Sequence, residues 1–313
     1  MRDRIVQSAL RLVLEPIFDA TFAPHSYGFR PQRSTKQALR RVVMLLRAGY
    51  RYVVDADVQT YFDSIPHAPL RARVQAKVSD SRILALVDAF LNQPIFEGLA
   101  DWTPDAGTPQ GAVISPLLAN LYLDPLDHAV AAAGFEMVRY ADDFVILCRT
   151  AEEAEQALVL VRRWTEAAGL RLHPEKTRLV DMQQPDGFDF LGYHFERDHR
   201  WPRTKSLQKL KDAVRQKTRR NNGHSLASII ADLNRTLVGW LAYFKHSHGS
   251  FQRLDEWLRM RLRSILRRRT RRRGRGRSYD HQRWPNAFFT AQGLFSLTEA
   301  HARYRQSFSK VTS

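Results

Sequence analysis

The sequence feature that most constrains the fold is the tetrapeptide Tyr140-Ala141-Asp142-Asp143, which lies between two short apolar segments, 135–139 and 144–148. Both segments are rich in β-branched and aromatic residues, so the pattern predicts a strand, a tight turn and a second strand. Two adjacent carboxylates at the tip of a buried hairpin repel each other unless a cation lies near them. A hard divalent cation with oxygen ligands is the usual partner. The alternative is ordinary turn chemistry, because aspartate is favoured in turns.

A second acidic segment comes earlier in the chain. Val53 and Val54 begin a strand pattern in which apolar residues then alternate with Asp55 and Asp57. Burying an unpaired carboxylate is costly, so two aspartates in a core strand require a cation or a polar partner. The alternative is an edge strand on which both side chains point to solvent.

The remaining pattern predicts helices over 5–18, 35–48, 67–92 (as two helices) and 151–168, with a strand over 177–181 and a short hairpin over 188–195. Pro16 is expected to distort or end the first helix near its last turn. This order predicts an α+β fold, in which a small antiparallel sheet is backed by helices. It also brings Asp57 towards Asp142 and Asp143.

A glycine-flanked loop, Gly107-Thr108-Pro109-Gln110-Gly111, precedes the helix that begins near Ser115. Ser115 followed by Pro116 is typical of an N-cap and first-turn pair. Such a loop can bring backbone N–H groups close to a phosphate or a base. The pattern is also common in loops without a ligand.

Charge divides the chain into two parts. The net charge is +17, but residues 200–313 contain 27 Lys+Arg and 6 Asp+Glu, whereas residues 1–199 have a net charge of −4. Segments 205–220, 225–245 and 251–269 have helical spacing. Eleven arginines lie between Arg259 and Arg277 with no acidic residue among them, which favours binding to phosphates through counterion release. The candidates for this nucleic-acid contact are Arg267, Arg268, Arg269, Arg271, Arg272 and Arg273.

Composition excludes other classes of site. The single Cys148 rules out an internal disulfide and a zinc site built on paired cysteines. No run of 18 apolar residues exists, and the first residues are not those of a signal peptide, so we expect a soluble, cytoplasmic protein with no membrane partner. A polybasic membrane anchor is a weaker alternative to nucleic-acid binding.

Six segments together resemble the reverse transcriptases encoded by bacterial group II introns. They are SYGFRP, VVDADVQTYFDSI, GTPQGAVISPLLANLYLD, YADDF, GLRLHPEKT and FDFLGYHF, in the order that this family has. LNRTLVGWLAYFKH and LDEWLRMRLRSILRRR resemble the maturase domain of the same family. The resemblance implies a right-hand polymerase palm with partial fingers over 1–199 and an all-helical thumb or maturase domain over 200–313.

The resemblance assigns the metal ligands residue by residue. Asp57, Asp142 and Asp143 match the aspartates that hold two Mg²⁺ ions, with Mn²⁺ as a possible substitute, and the carbonyl of Val58 matches an extra ligand. This implies an RNA-directed DNA polymerase that uses an RNA template, a DNA or RNA primer and dNTPs, and a domain that binds intron RNA and assists splicing.

Further residues match positions around the incoming nucleotide. Phe62 matches the aromatic residue that blocks a ribose 2′-hydroxyl, although core packing is the alternative for this ring and for Tyr140. Gln110 and Gly111 match the loop that packs on nucleotide and template, and Lys176 matches a lysine near the triphosphate that could protonate pyrophosphate. Arg30 is expected on the template side.

The resemblance also defines the alternatives. The family carries further fingers segments ahead of the position of Met1, including a basic hairpin that grips the triphosphate, so we expect a shortened chain. A C-terminal HNH nuclease is not expected. One alternative is a catalytically idle or truncated maturase-type RNA-binding protein, and another is a different palm-type nucleotidyl transferase such as a cyclase.

Overall fold

Short strands and longer helices alternate up to residue 203, and the described residues from 204 onward form helices only. The computed structural model describes residues 2–92, 95–97, 100–102, 105–108, 111–221, 223–272 and 278–312. Its strands are β1 (Tyr52–Asp57), β2 (Ile95–Glu97), β3 (Ala100–Trp102), β4 (Glu136–Tyr140), β5 (Asp143–Cys148), β6 (Arg178–Asp181), β7 (Phe188–Phe190), β8 (Tyr193–Glu196) and β9 (His199–Pro202).

The helices begin with α1 (Arg2–Asp19), α2 (Thr35–Arg47), α3 (Tyr61–Ser64), α4 (His67–Gln75), α5 (Ser81–Leu91), α6 (Ser115–Ala132) and α7 (Ala151–Ala167). Those that follow the strands are α8 (Thr204–Lys217), α9 (Leu226–Phe244), α10 (Gln252–Arg269), α11 (Ser278–Arg283), α12 (Asn286–Ala291) and α13 (Leu297–Thr312). In the part of the chain that the structure describes, no helix is long and apolar enough to cross a membrane.

A four-stranded antiparallel sheet in the order β4-β5-β1-β6 organises the first compact unit, which comprises residues 1–191 and 196–198. Val53 and Val54 point to opposite faces of the sheet, and both are fully buried. The sheet is therefore covered on both faces. Helices α6 and α7 pack against it, and α2 contacts β4 and β5.

Local sequence explains where the helices of this unit begin and end. The Thr150 hydroxyl accepts from the Glu153 N–H, and the Glu153 carboxylate accepts from the Arg149 N–H, so α7 starts with a capping arrangement. Helix α1 continues through Pro16 to Asp19, further than the proline predicted. It buries Gln7, Leu10, Leu14 and Phe18, whereas the apolar side chains of Ile5, Val13 and Ile17 are exposed.

The second compact unit comprises residues 192–195 and 199–313. Leucine, isoleucine and valine side chains of α8, α9 and α10 form its core, together with Phe289 of α12 and Leu297 of α13. Most basic residues of α8 and α10 lie outside this apolar centre, because each helix is largely apolar on one side, although Arg263 of α10 is buried. The predicted class, a small antiparallel sheet backed by helices and then an all-helical region, is confirmed.

Candidate active site

The β4–β5 hairpin brings the predicted acidic pair to one end of the sheet. Tyr140 lies opposite Asp143, so Ala141 and Asp142 form the two-residue turn between the strands. On the other side of β5, Asp57 at the end of β1 lies opposite Asp143. The register therefore places Asp57, Asp142 and Asp143 together, as the strand pattern predicted.

Burial and nearby negative charge make the Asp142 and Asp143 carboxylates hard to ionise together. Burial, together with the charges of Asp55, Asp142 and Asp57, raises the pKa of Asp143 to about 7. Burial also raises the pKa of Asp142, with the Asp57 charge adding to the effect. The three aspartates form an electronegative site that a cation would stabilise.

Lys176 forms an ion pair with one of these aspartates. Its ammonium Nζ lies 2.6 Å from Oδ2 of Asp57. Two backbone hydrogen bonds hold its segment along the end of β1, since His173 N donates to Asp57 O and Gln59 N donates to Arg171 O, each at 2.8 Å. The lysine thus lies beside the Asp57 carboxylate, and its place near the triphosphate stays a prediction.

The aspartates suit a metal ion by the chemistry of their donors. Carboxylate oxygens are the ligands that Mg²⁺ prefers, and the Lys176 ammonium on Asp57 occupies a position where positive charge is favourable. Among the described residues, no three His, Cys, Asp or Glu side chains converge into a ready-made metal cage. Mg²⁺ does not require one, because it commonly binds one or two carboxylates together with waters and substrate phosphates.

Val58, the other predicted ligand, follows Asp57 directly. Its side chain is buried, and the residue forms an isolated antiparallel bridge with Leu172. A metal bond to its carbonyl oxygen stays a prediction.

Asp55 has a different role from Asp57, although both lie on the same strand. β1 is an inner strand between β5 and β6, so the edge-strand alternative is wrong. The Asp55 carboxylate accepts from Arg178 at 3.4 Å, and Arg178 also pairs with Asp186 at 3.2 Å. Burial raises the pKa of Asp55 to about 6 in spite of Arg178. A neighbouring arginine therefore satisfies this aspartate.

Three aromatic rings lie beside the acidic site. Phe62, on the short helix α3, is half-buried and packs on the core of the unit. The ring of Phe29 meets it edge-on at 6.4 Å, and Phe29 is also 6.4 Å from the ring of Tyr140. Phe29 was not predicted as a site residue. It has φ +56° and is 45% exposed, and an aromatic residue next to a glycine in a loop was the available signal.

The glycine-rich loop begins against the helix that carries Phe62. Gly107 N donates to Ile65 O, and Thr108 N donates to Phe62 O, each at 2.7 Å. Gly107 has φ +98°, and a Cβ there would lie 3.0 Å from Asp63 O, so glycine is required. This fixes the start of the loop near Phe62.

The rest of the loop meets the prediction only in part. Gly111 is exposed with φ +82°, and Gln110 lies outside the described residues. Beyond the loop, Val113 N donates to Oε1 of the buried Gln7 at 2.7 Å. The helix cap differs from the prediction, because Ser115 is the first residue of α6 and Ile114 precedes it as the N-cap.

Arg30 contradicts its predicted place at the template. Its guanidinium is buried and donates to Asp19 Oδ1 at 2.6 Å, to Ala23 O at 2.7 Å and to Ser26 O at 3.1 Å. These bonds tie the end of α1 to the following loop. A side chain with its donors used inside the fold is a structural element and not a surface contact for nucleic acid.

The arginines of the second unit that were predicted to contact nucleic acid include one internal side chain and several exposed ones. Arg267 is mostly buried and pairs with Asp280 at 2.5 Å, so its predicted contact with nucleic acid is replaced by an internal ion pair. Arg268, Arg269, Arg271 and Arg272 are exposed, although Arg269 also donates to the carbonyl of His224. Arg273 lies outside the described residues.

Two family models match the sequence. The family described as "Reverse transcriptase (RNA-dependent DNA polymerase)" matches residues 1–195, and "Group II intron, maturase-specific domain" matches residues 207–284. The first match covers more than half of the chain. The second covers most of the basic helical region.

Curated proteins give related similarities. The chain is 31% identical over 236 residues to Protein YkfC of Escherichia coli (strain K12), covering 63% of this chain and 61% of that protein. It is 38% identical over 128 residues to the group II intron-encoded protein LtrA of Lactococcus lactis subsp. cremoris, covering 41% of this chain and 21% of that protein. The chain thus spans less than two thirds of the length of these relatives.

Solved structures share the fold. Apo telomerase from Candida tropicalis is similar over 83% of this chain and 55% of that chain, with a TM-score of 0.53 and 12% sequence identity. An identity this low carries information about the fold alone.

Proposed function

This chain belongs to the reverse transcriptase (RNA-dependent DNA polymerase) family, and from that premise we propose that it copies RNA into DNA by metal-assisted nucleotidyl transfer. The observation that carries the proposal is the strand register, with Asp57 opposite Asp143 and Asp142 in the adjacent turn. The substrates are a primer with a 3′-hydroxyl, an RNA template and dNTPs. A paired arginine satisfies Asp55, so the other three aspartates are left for the metal site.

Each residue of the site has a part in this reaction. Asp57, Asp142 and Asp143 would hold two Mg²⁺ ions, or Mn²⁺ as a substitute. Burial, with repulsion between neighbouring carboxylates added to it, raises the pKa of Asp142 and of Asp143, and bound cations would offset both effects. Bound Mg²⁺ supplies activation of the primer hydroxyl and charge stabilisation of the leaving pyrophosphate. Lys176 can donate a proton from Nζ to pyrophosphate after its ammonium group has separated from the Asp57 carboxylate.

Phe62 and the loop after Gly107 select and seat the nucleotide in this proposal. The half-buried ring of Phe62 is fixed by Phe29 and by the core, so it cannot easily move away from an added 2′-hydroxyl. Gln110 and Gly111 are proposed to contact the incoming nucleotide and the template. The backbone bonds from Gly107 and Thr108 to α3 couple this loop to Phe62.

Primer extension on an RNA template with Mg²⁺ tests the polymerase proposal. Asp142→Asn should reduce incorporation by about 1,000-fold, since it removes several kcal/mol of transition-state stabilisation by metal. Asp198→Asn is the matched control, because Asp198 is 74% exposed and makes a surface ion pair with Arg51. Incorporation by Asp142→Asn at the rate of the unchanged chain would refute the proposal.

We further propose that residues 200–313 bind intron RNA and assist its splicing. The match of residues 207–284 to the maturase-specific domain and the net charge of +21 support this function. The exposed arginines at the end of α10 are the contacts that we propose for RNA phosphates. Each phosphate contact contributes about one unit to the slope of log K against log salt.

Salt-dependent RNA binding tests the second function. Arg268→Gln/Arg269→Gln should lower the salt slope by about two units, because two phosphate contacts are lost. Arg162→Gln/Arg163→Gln is the matched control, since these adjacent arginines are exposed on α7. Equal slopes for both pairs would contradict the assignment. Tight RNA binding by a chain that incorporates no nucleotide would instead favour the idle maturase-type protein.

A further inference from the structure

The turn that carries Asp142 has a backbone conformation that its sequence does not favour. Ala141, the first residue of the two-residue turn, has φ +61°. A hairpin turn with a positive φ at this position favours glycine, because a side chain there is strained. Contacts from the surrounding structure must therefore hold the turn in place.

Arg139 supplies the first of these contacts from beneath the turn. Its side chain is fully buried, and Nη1 donates to Ala141 O at 2.8 Å. Nε and Nη2 donate to the two oxygens of the buried Asp127 at 2.8 and 2.5 Å. These two bonds to Asp127 form a fork that orients the planar guanidinium. Its other N–H groups, including the one that donates to Ala141 O, therefore have fixed directions.

Asn120 links the same arginine to a second segment. Its Oδ1 accepts from Arg139 Nη1 at 2.9 Å, and its Nδ2 donates to Gly28 O at 2.7 Å. The backbone of this segment also pairs with Arg139, because Tyr27 N donates to Arg139 O and Arg139 N donates to His25 O. Residues 25–28 are therefore fixed along the end of β4.

Gly28 completes the contact by direct approach of two backbones. A Cβ at Gly28 would lie 2.2 Å from Ala141 N and 2.8 Å from the carbonyl carbon of Tyr140. No side chain fits at these distances. Glycine is needed here because the two backbones touch, and the turn cannot move towards residues 25–28.

We propose that Arg139, Asn120 and Gly28 are positioning residues that clamp the turn and set the direction in which Asp142 and Asp143 point. Arg139 holds the turn by the carbonyl of Ala141, Asn120 links this arginine to Gly28, and Gly28 packs against the N–H side of the turn. The clamp touches no substrate. Its meaning for catalysis rests on the proposed function, because it acts on the carboxylates that would bind metal.

Gly28→Ala tests the clamp, because it adds one methyl group against the turn and removes no hydrogen bond. Tb³⁺ binding by the full chain is followed by the luminescence of the ion beside the aromatic rings of the site. It measures the metal affinity of the carboxylates and does not require polymerase activity. We expect about 10–100-fold weaker Tb³⁺ binding, the usual effect of losing support around a metal ligand. In primer extension, kcat should fall by a similar factor while the KM for dNTP stays unchanged.

A matched glycine and a second variant keep the test decisive. Gly239→Ala on α9 is the control, because a Cβ there meets nothing within 4 Å. Arg139→Lys keeps the charge beside Asp127 but loses the fork, so it should weaken Tb³⁺ binding as Gly28→Ala does, even if the latter fails to fold. Reaction of Cys148 with thiol reagents reports folding, since this cysteine is buried in the same sheet.

Two results would overturn the proposal. One is Tb³⁺ affinity equal to that of the unchanged chain in the folded variants. The other is loss of Cys148 protection in step with loss of Tb³⁺ binding, which would make the contacts structural only. Because Tb³⁺ binding needs no polymerisation, an unchanged chain that fails to extend a primer would contradict the proposed function and leave this test intact.

Discussion

The buried ion pair between Arg139 and Asp127 gives a stability prediction that the structure quantifies. The side chains are 0% and 5% exposed. Burial alone lowers the pKa of Arg139, but the Asp127 charge outweighs it and the pKa lies above its ordinary value. The Arg139 guanidinium is therefore charged in the folded unit, beside the buried Asp127 carboxylate. Replacing only one of them leaves a buried charge without its partner.

Arg139→Met should destabilise the first unit by about 3–5 kcal/mol, the usual cost of removing one partner of a buried pair. It also removes the donor to Ala141 O and to Asn120 Oδ1. In Arg139→Met/Asp127→Leu both charges are gone. The remaining loss of stability comes from Ala141 O and Asn120 Oδ1, which no longer have this donor, and amounts to about 1–3 kcal/mol. The double variant should therefore be more stable than Arg139→Met alone.

Cys148 provides an assay specific for this unit. It is the only cysteine of the chain, it is 1% exposed on β5, and burial raises the pKa of its thiol to about 12. Labelling of the thiol at increasing urea concentration therefore follows unfolding of the first unit alone. This matters because a chain with two compact units need not unfold in one step.

Arg82→Met is the control, because the Arg82 side chain is 91% exposed and its contact with Asp80 is 3.8 Å long. It should change stability by less than about 0.5 kcal/mol. The stability prediction is contradicted if Arg139→Met shifts the labelling midpoint no further than Arg82→Met. It is equally refuted if the double variant is less stable than Arg139→Met.

Three further predictions concern single residues of the first unit. Phe62→Val should reduce discrimination against ribonucleotides by about 10–200-fold in competitive primer extension, because it opens space at the sugar; unchanged discrimination would assign the ring to packing. Arg30→Met should cost about 3–5 kcal/mol in Cys148 labelling and leave template affinity unchanged, because the pair with Asp19 is internal; weaker template binding at full stability would restore the surface role. Lys176→Met should lower the half-saturating Mg²⁺ concentration by at most about fivefold, since an exposed ion pair is weak. A higher Mg²⁺ requirement would contradict competition for Asp57.

Local pattern was sufficient to predict the hairpin of the site. Apolar runs on both sides of Tyr140-Ala141-Asp142-Asp143 determine two strands and a turn, and antiparallel pairing follows from so short a connection. The predicted bounds of α2, α7 and α10 lie close to the observed ones, because helical spacing is also a local pattern. The family was also recognisable from the sequence, because its motifs are short and local.

The partners of single side chains could not be read from the sequence. Asp55 and Asp57 are two residues apart on one strand, yet Arg178 pairs with the first and Lys176 with the second, 123 and 119 residues away. Arg30 and Arg267 look like free cations in sequence, but Arg30 pairs with the partly exposed Asp19 and Arg267 with the buried Asp280. Such pairing depends on which elements meet in space.

The sequence by itself determined the acidic hairpin, the main helices and strands around it and the division of charge, since these follow from the spacing of neighbouring residues. The tertiary structure alone decided how the turn is held. Gly28 and Asn120 lie 92 residues apart, and Gly28 meets both Asn120 and the turn only because the loop at residues 25–28 lies along β4. A close approach of two backbones has no signature in either segment, because a glycine in a loop is equally suited to a simple turn.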